Sequence, residues 1–472
     1  MSNHYKKLMG DTIIFMVGNL GSKLITIIMV PLYTYALSTG EYGSVDLVIN
    51  TISLFLPIAS LAIGEALLRF IMLKDKDFLD IQIMSTSFFL ISFVSFLVLI
   101  VSGVISVLVN KIAILLMFFS LLLVAQLYQN ILSQFIRAKN KLKIFAINGI
   151  ITTFFNALLN ILFLVNLRMG VTGFLLANLI GLCISNIYLF LTGKIWKYLE
   201  IKRVSKSVLK RMVHYSLPLV PNTIMWWLIQ GSSRYILLFF EGISANGLFA
   251  VASKIPSIVA MVTSMFQQAW QLSAFEQNDE SSEENFYSSV FQMYYQFLFI
   301  ICSLILLVIR TLLRFVVNHQ YYGSWALVPF LLLGVIYQTL SSFYGTIYAS
   351  KLETKGVFTS SILGAFISIL FGVLLIPNFG VVGSGLSIAF SFFVMWIVRV
   401  LDTKKMLSVK FNKKKFIFNN VIFMIQTAIL FNFKSELKAF LSQFILFILL
   451  LLIDKSFILK ILDLFRNKKK AH

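Results

Sequence analysis

Residues 13–43 read IIFMVGNLGSKLITIIMVPLYTYALSTGEYG, and between Ile13 and Leu37 the only charged side chain is Lys23. A helix rises 1.5 Å per residue, so about 20 apolar residues cross a hydrocarbon core of about 30 Å. The stretch is therefore long enough to span a membrane, with a cation near its middle and Pro31 two turns later. A tight external turn at Gly43 then leads into a second apolar run.

The rest of the chain repeats this pattern. Of its 472 residues 59% are hydrophobic and only 12% charged, a composition far from that of soluble domains. Windows of spanning length recur from end to end and leave no room for a soluble domain. The apolar run after the N-terminal MSNHYKKLMGD is too long for a signal peptide and lacks a small-residue cleavage site, so it reads as a retained first span. Cys183 and Cys302 fall inside apolar segments, where a thiol acts as a small hydrophobe. His4, His214, His319 and His472 are scattered without ligand spacing, so neither a metal nor a cofactor is expected.

The spans read as 12–37, 43–70, 81–109, 112–137, 145–166 and 171–192, then 212–240, 246–272, 287–317, 324–349, 356–376 and 381–401, with two more at 416–433 and 437–454. That gives about 14 transmembrane helices in an all-α integral membrane protein. The net charge of +21 would suggest nucleic acid in a soluble chain. Here the basic residues sit in short loops and set orientation, and no nucleic-acid partner is expected. With the N-terminus inside, 31 lysines and arginines fall on the inner side, against Lys111, Arg168, Lys434 and Lys438 outside. Both termini are then cytoplasmic.

The first twelve spans form two related series. At an offset of 204, Gly43 falls on Gly247 in the turn between first and second helices; at an offset of 210, Gly170 and Gly173 fall on Gly380 and Gly383 between fifth and sixth. Units of six spans enter the membrane in the same orientation, giving two parallel six-helix repeats around a central cavity plus two C-terminal helices. The expected division is 1–200 for the N-terminal lobe, 201–410 for the C-terminal lobe, and 411–472 for the extra helices and a basic tail. Pro31, Pro57, Pro218, Pro221 and Pro256 all fall in the first two helices of a series. Each removes a helical hydrogen bond and bends its helix, marking these helices as hinges.

A charge at the bilayer centre costs roughly 2.5–3.5 kcal/mol on insertion scales, so it faces a partner or a wet cavity. Lys23 lies about 16 Å from either end of its helix, too far to snorkel. Arg234 and Lys254 sit on spans seven and eight, beside the prolines, and with Lys23 form a candidate anion site. Arg310 and Arg314, near the end of span nine, read as interface anchors. Glu65 is the clearest acid within these helices, and its spacing to Arg69 suggests a local i,i+4 pair or a coupling site. Asn222, Trp226, Gln230, Gln267, Gln268 and Gln271 supply the amides and the ring that sugars favour. No paired carboxylates, phosphate-binding loop or long external loop argues for catalysis, so the chain reads as a transporter rather than an enzyme.

GNLGSKLITIIMVPLYTYALSTGEYGSVDL, LAIGEALLRF, YSLPLVPNTIMWWLIQGSSRYIL and FQQAWQLSAFE together resemble the Wzx-type polysaccharide or oligosaccharide flippases of the multidrug/oligosaccharidyl-lipid/polysaccharide (MOP) exporter superfamily. The resemblance implies alternating access that moves a polyprenyl-pyrophosphate-linked oligosaccharide from the inner to the outer leaflet of a bacterial cell membrane. It implies a glycan polymerase and glycosyltransferases of the same pathway as partners, and membrane lipids around the two extra helices. Lys23 and Lys254 match in place the cavity cations of related lipid-linked peptidoglycan flippases. One departure is Ser233, where similar proteins carry an acid before the arginine. Two other readings remain: a cation-coupled multidrug exporter of the same superfamily and a membrane glycan polymerase, the latter disfavoured by the short external loops.

Overall fold

A computed structural model describes residues 21–22, 25–73, 78–276, 280–351, 353–433, 435–455, 457 and 459. Among them there is no strand, as an all-α membrane protein requires. Lys23 lies outside the described residues. The chain divides into two compact units, Met1–Trp227 and Leu228–His472.

The first unit contains α1 (Ile25–Ala36), α2 (Thr39–Ser60), α3 (Ile63–Met72), α4 (Asp80–Leu108), α5 (Ala113–Ala138), α6 (Leu142–Asn160), α7 (Gly170–Gly193), α8 (Lys206–Ser216) and the start of α9 (Leu219–Glu241). α2 starts four residues before the expected turn at Gly43: the Ser38 hydroxyl accepts the Glu41 amide at 3.3 Å, and the Glu41 carboxylate accepts the Ser38 amide at 2.8 Å. This reciprocal cap satisfies two amides that a helix start otherwise leaves open. α5 supplies much of the core, with Leu127, Ile131 and Phe135 fully buried. α6 continues into a π-helical turn, Ile161–Asn166.

The second unit contains the rest of α9, then α10 (Ile243–Ala252), α11 (Lys254–Glu276), α12 (Glu280–Val316), α13 (Val328–Ser350), α14 (Thr354–Phe379), α15 (Val381–Thr403), α16 (Lys413–Asn432) and α17 (Glu436–Ile453). α13 is its most enclosed spanning helix and packs against α11, α12, α14 and α15.

Eleven helices among the described residues are long and apolar enough to cross a membrane, and α10 with α11 makes a twelfth if the bent pair is one span. The other two expected spans are 12–37, described only in part, and α9, whose apolar run is interrupted by Asn222, Gln230, Ser232, Ser233 and Arg234.

Gly43 and Gly247, expected in turns, instead lie buried inside α2 and α10, whose helices begin four residues before them; the glycines between fifth and sixth helices do matching work in the two units. Gly170 and Gly380 have φ of +56° and +55°, which costs a glycine nothing, and each opens the helix that follows. Gly173 and Gly383, three residues on, sit where a Cβ would press on the preceding helix's end: Phe163 in one unit, Leu375 in the other.

Span 43–70, expected as one helix, is two. Leu61 and Ala62 break it, with φ of +50° and +51°, a region that costs an L-residue roughly 1–2 kcal/mol. Pro57 has no amide to continue the ladder; its carbonyl instead accepts from Ala62 at 3.2 Å, and the Ser60 hydroxyl also accepts from Ala62 at 3.2 Å. α8 and α9 are separated at Leu217 and Pro218. α10 and α11 meet at Ser253 with a 43° bend, and Pro256 lies in the first turn beyond it. Pro221 occupies the first turn of α9, and Pro31 lies inside α1.

Candidate functional site

In the first unit the polar groups gather beside the break between α2 and α3. Glu65 is the third residue of α3, and its carboxylate accepts from Gln134 Nε2 on α5 at 2.8 Å. Gln134 Oε1 in turn accepts from Arg137 at 2.9 Å. Gly64 makes this contact close: a Cβ there would overlap the Asn130 amide and lie 3.3 Å from Gln134 Cγ. Arg69 donates to the Tyr215 hydroxyl at 3.2 Å, its guanidinium 4.6 Å from the Tyr215 ring centroid. Glu65 and Arg69 thus engage different helices, α5 and α8, rather than each other. On α9, Asn222 and Trp226 are half-buried, the Asn222 Oδ1 is enclosed without a hydrogen-bond partner, and Trp227 Nε1 donates to the Asn50 carbonyl at 3.0 Å.

In the second unit Arg234 lies on α9 with its guanidinium 4.7 Å from the Phe249 ring centroid and Nη1 donating to the Gln230 carbonyl at 3.1 Å. Asn246 of α10 donates to the Arg234 carbonyl at 3.0 Å. Ser233 is fully buried and faces Ser387 of α15 at 3.4 Å, so the position where similar chains carry an acid is here a helix contact. Lys254 is the first residue of α11, immediately after the bend, and is half-buried. Gln230 and Gln268 are exposed and Gln271 is half-buried.

Gln267 is already engaged: its Nε2 donates to the Ser342 carbonyl at 3.1 Å and the Thr346 hydroxyl at 2.9 Å, tying α11 to α13. One helical turn away Trp270 stacks on Phe343, centroids 4.6 Å apart.

Residues 8–271 match the family described as polysaccharide biosynthesis protein. The chain belongs to that family. The matched region includes every candidate site residue, from Lys23 to Gln271. A 242-residue stretch is 25% identical to the uncharacterized membrane protein MJ1068 of Methanocaldococcus jannaschii, covering 47% of this family member and 47% of that protein. The chain thus spans about half the length of the curated relative it matches.

The fold of this family member is shared with solved membrane transport proteins of low sequence identity. It superposes on the lipid II flippase MurJ in an inward closed conformation, at a TM-score of 0.70, with 14% identity over 95% of this chain and 99% of that one. It likewise superposes on an inward-facing multidrug resistance MATE family transporter of the MOP superfamily, at a TM-score of 0.67 and 14% identity, covering 82% and 94% of the two chains. Family, fold and the apolar helices together make it a multi-pass membrane protein of the polysaccharide biosynthesis family.

Sequence reasoning passed over two buried charges. Arg399 on α15, which charge counting assigns to the basic inner loops, is 1% exposed and donates to Ser360 Oγ at 2.9 Å, the Ser341 carbonyl at 2.9 Å and Ser361 Oγ at 3.4 Å. Asp454, at the end of α17, is fully buried and accepts from Gln296 of α12 at 2.5 Å and Asn419 of α16 at 2.8 Å. The signal for both was the polar residues opposite: serines on α13 and α14, amides on α12 and α16. Arg310 and Arg314 also do more than anchor, since Arg310 donates to the Phe433 carbonyl at 2.7 Å and Arg314 pairs with Glu436 at 2.8 Å.

Proposed function

We propose that this protein is a flippase that carries a polyprenyl-pyrophosphate-linked oligosaccharide, the repeat unit of a capsule, O-antigen or exopolysaccharide, from the inner to the outer leaflet by alternating access. The observation that carries the reading is that the match to the polysaccharide biosynthesis family covers the helices in which intramembrane cations and backbone breaks fall together: Arg234 on α9, and Lys254 with Pro256 at the bend before α11. A pyrophosphate crossing a low-dielectric region needs cations to offset its desolvation, and Lys23, Arg234 and Lys254 are the candidates. Asn222, Trp226, Gln230, Gln268 and Gln271 are the candidate sugar contacts; Gln267 would have to leave α13 to join them. The breaks near Pro57, Pro218 and Pro256 would supply the motion, with Pro31 and Pro221 adjusting their helices. In this reading the protein lies in a bacterial cell membrane with both termini cytoplasmic and works beside a glycan polymerase and glycosyltransferases.

The test is transport in proteoliposomes of a fluorescent undecaprenyl-pyrophosphate oligosaccharide, by wild type, Lys23→Ala, Arg234→Ala and Arg234→Lys. Wild type is expected to move the lipid, each alanine variant to lose about tenfold or more, and Arg234→Lys to fall between, since a charge is kept and a planar fork lost. Wild type that moves no lipid-linked sugar but expels a cationic dye along an ion gradient would replace this reading with the exporter, and Glu65 would then be the acid to test.

A further inference from the structure

The linker between α15 and α16 folds back on the ends of both helices and encloses a cavity of about 340 Å³. Its turn is set by Met406 and Leu407, whose amides donate to the Thr403 carbonyl at 2.8 and 2.9 Å. The Lys410 amide then donates to Ser288 Oγ of α12 at 2.8 Å, and the Asn412 side chain caps α16 by accepting the Lys415 amide at 3.1 Å. The linker is held at three points, so the cavity is built into the fold.

Two chemistries line it. Lys404, Lys410 and Lys413 supply three ammonium groups, and all three lysines are exposed. Among the described residues, the carboxylate ion-paired with them is Glu284, at 3.6 Å from Lys410, where both side chains are open to water. The floor is apolar, with buried Leu407 and half-buried Phe411, and includes Tyr344, which is 2% exposed and whose hydroxyl has no hydrogen-bond partner. A buried phenol without a partner is costly, and a ligand oxygen would relieve it. Leu401, also in the lining, is 65% exposed, and the next helix presents Ile417 and Phe418 at 60% and 57%. These large apolar side chains mark where the spanning parts of α15 and α16 begin.

We propose that this cavity binds an anionic phospholipid, its phosphate against Lys404, Lys410, Lys413 and the Tyr344 hydroxyl, and its acyl chains along Leu401, Ile417 and Phe418. A free phosphate would satisfy the lysines but leave the apolar wall in water; a lipid satisfies both. Juxtamembrane basic clusters attract anionic headgroups over a Debye length, and an enclosing pocket converts that attraction into a site. The site is independent of the transported substrate.

The test uses full-length protein in detergent, titrated with short-chain phosphatidylglycerol, phosphatidylcholine or inorganic phosphate, and read by thermal shift and native mass spectrometry. Phosphatidylglycerol is expected to bind wild type in preference to phosphatidylcholine, with inorganic phosphate inactive at equal concentration. The triple variant Lys404→Gln/Lys410→Gln/Lys413→Gln should lose about tenfold or more of that preference, the triple arginine variant should keep it, and Lys438→Gln should match wild type. Tyr344→Phe leaves charge unchanged and should weaken phosphatidylglycerol binding. An unchanged preference in the triple glutamine variant overturns the proposal. So does a Tyr344→Phe variant identical to wild type, which would reduce the effect to diffuse surface charge, and so does an equal response to inorganic phosphate, which would leave a phosphate site with no lipid.

Discussion

Arg399→Ala should be among the most damaging single substitutions in the second unit. The guanidinium is 1% exposed and its three bonds reach the Ser341 carbonyl of α13 and the Ser360 and Ser361 hydroxyls of α14, so one side chain ties three helices. Hydrogen bonds to a charged group contribute about 1.5–3 kcal/mol each, and two of these are short. Against them stands the desolvation of the guanidinium, several kcal/mol, which alanine would recover. The serine hydroxyls do not lose their own acceptor, because Ser360 and Ser361 both donate to the Val357 carbonyl, at 3.0 and 2.8 Å. What remains is the surplus of the bonds plus a cavity of roughly 100 Å³, which at about 24 cal/mol per Å³ adds about 2 kcal/mol. The net loss is about 3–5 kcal/mol, or about 6–20 °C in apparent Tm for a cooperative unit of this size. Heating detergent-solubilised protein in steps and following the monodisperse peak by size-exclusion chromatography measures it. Arg399→Met fills the space but not the bonds and should recover about half of the loss. An alanine variant melting within about 2 °C of wild type would refute the reasoning, as would a methionine variant no better than alanine.

Gly64→Ala should push α3 from α5, because its Cβ would overlap the Asn130 amide; the expected cost is about 1–3 kcal/mol, and Asn130→Ala in the same chain should restore most of the apparent Tm. Burial pushes the Asp454 carboxyl, just beyond the end of α17, above the usual carboxylate range. A folded-state value above the unfolded one means that this group's contribution is present at low pH and lost as pH rises through the folded value. Asp454→Asn should therefore melt higher than wild type at pH 8, with the difference shrinking as pH falls toward the ordinary carboxylate range; the Asn419 amide can turn its unpartnered Oδ1 to meet the new donor. A variant less stable than wild type at pH 8 would contradict this.

Much of the fold was legible because a membrane simplifies the code. Apolar length alone places α4, α5, α7, α14 and α15 within a few residues of their observed ends, and Gly170 with Gly380 marks equivalent turns since only a left-handed backbone fits there. The backbone breaks were less legible. Pro57 announces a disturbance, but the disruption falls on Leu61 and Ala62, which carry no turn chemistry of their own. Side-chain roles were least legible. Gln267 and Gln268 are adjacent and chemically identical, yet one is bonded to α13 and the other is exposed, a difference set by helical phase against a partner far along the chain. Arg399 was misplaced for the same reason: a basic residue near a span end counts as a loop charge unless the serines two helices away are known to face it.

The amide bonds around the last two helices bear on how the chain is made. Gln443 donates to the Gln426 carbonyl at 2.5 Å, joining α16 to α17, and Asp454 binds both Asn419 and Gln296, the latter 158 residues earlier. At about 5–20 residues per second a ribosome needs roughly 8–32 s to cover that distance. Throughout that interval α12 has been synthesised without the carboxylate its buried amide will meet. The second unit is therefore completed only when the final hairpin has entered the bilayer. A nascent chain cut short before Asp454 would present an unmatched polar group to lipid, a mark by which quality-control proteases could tell an unfinished copy from a finished one.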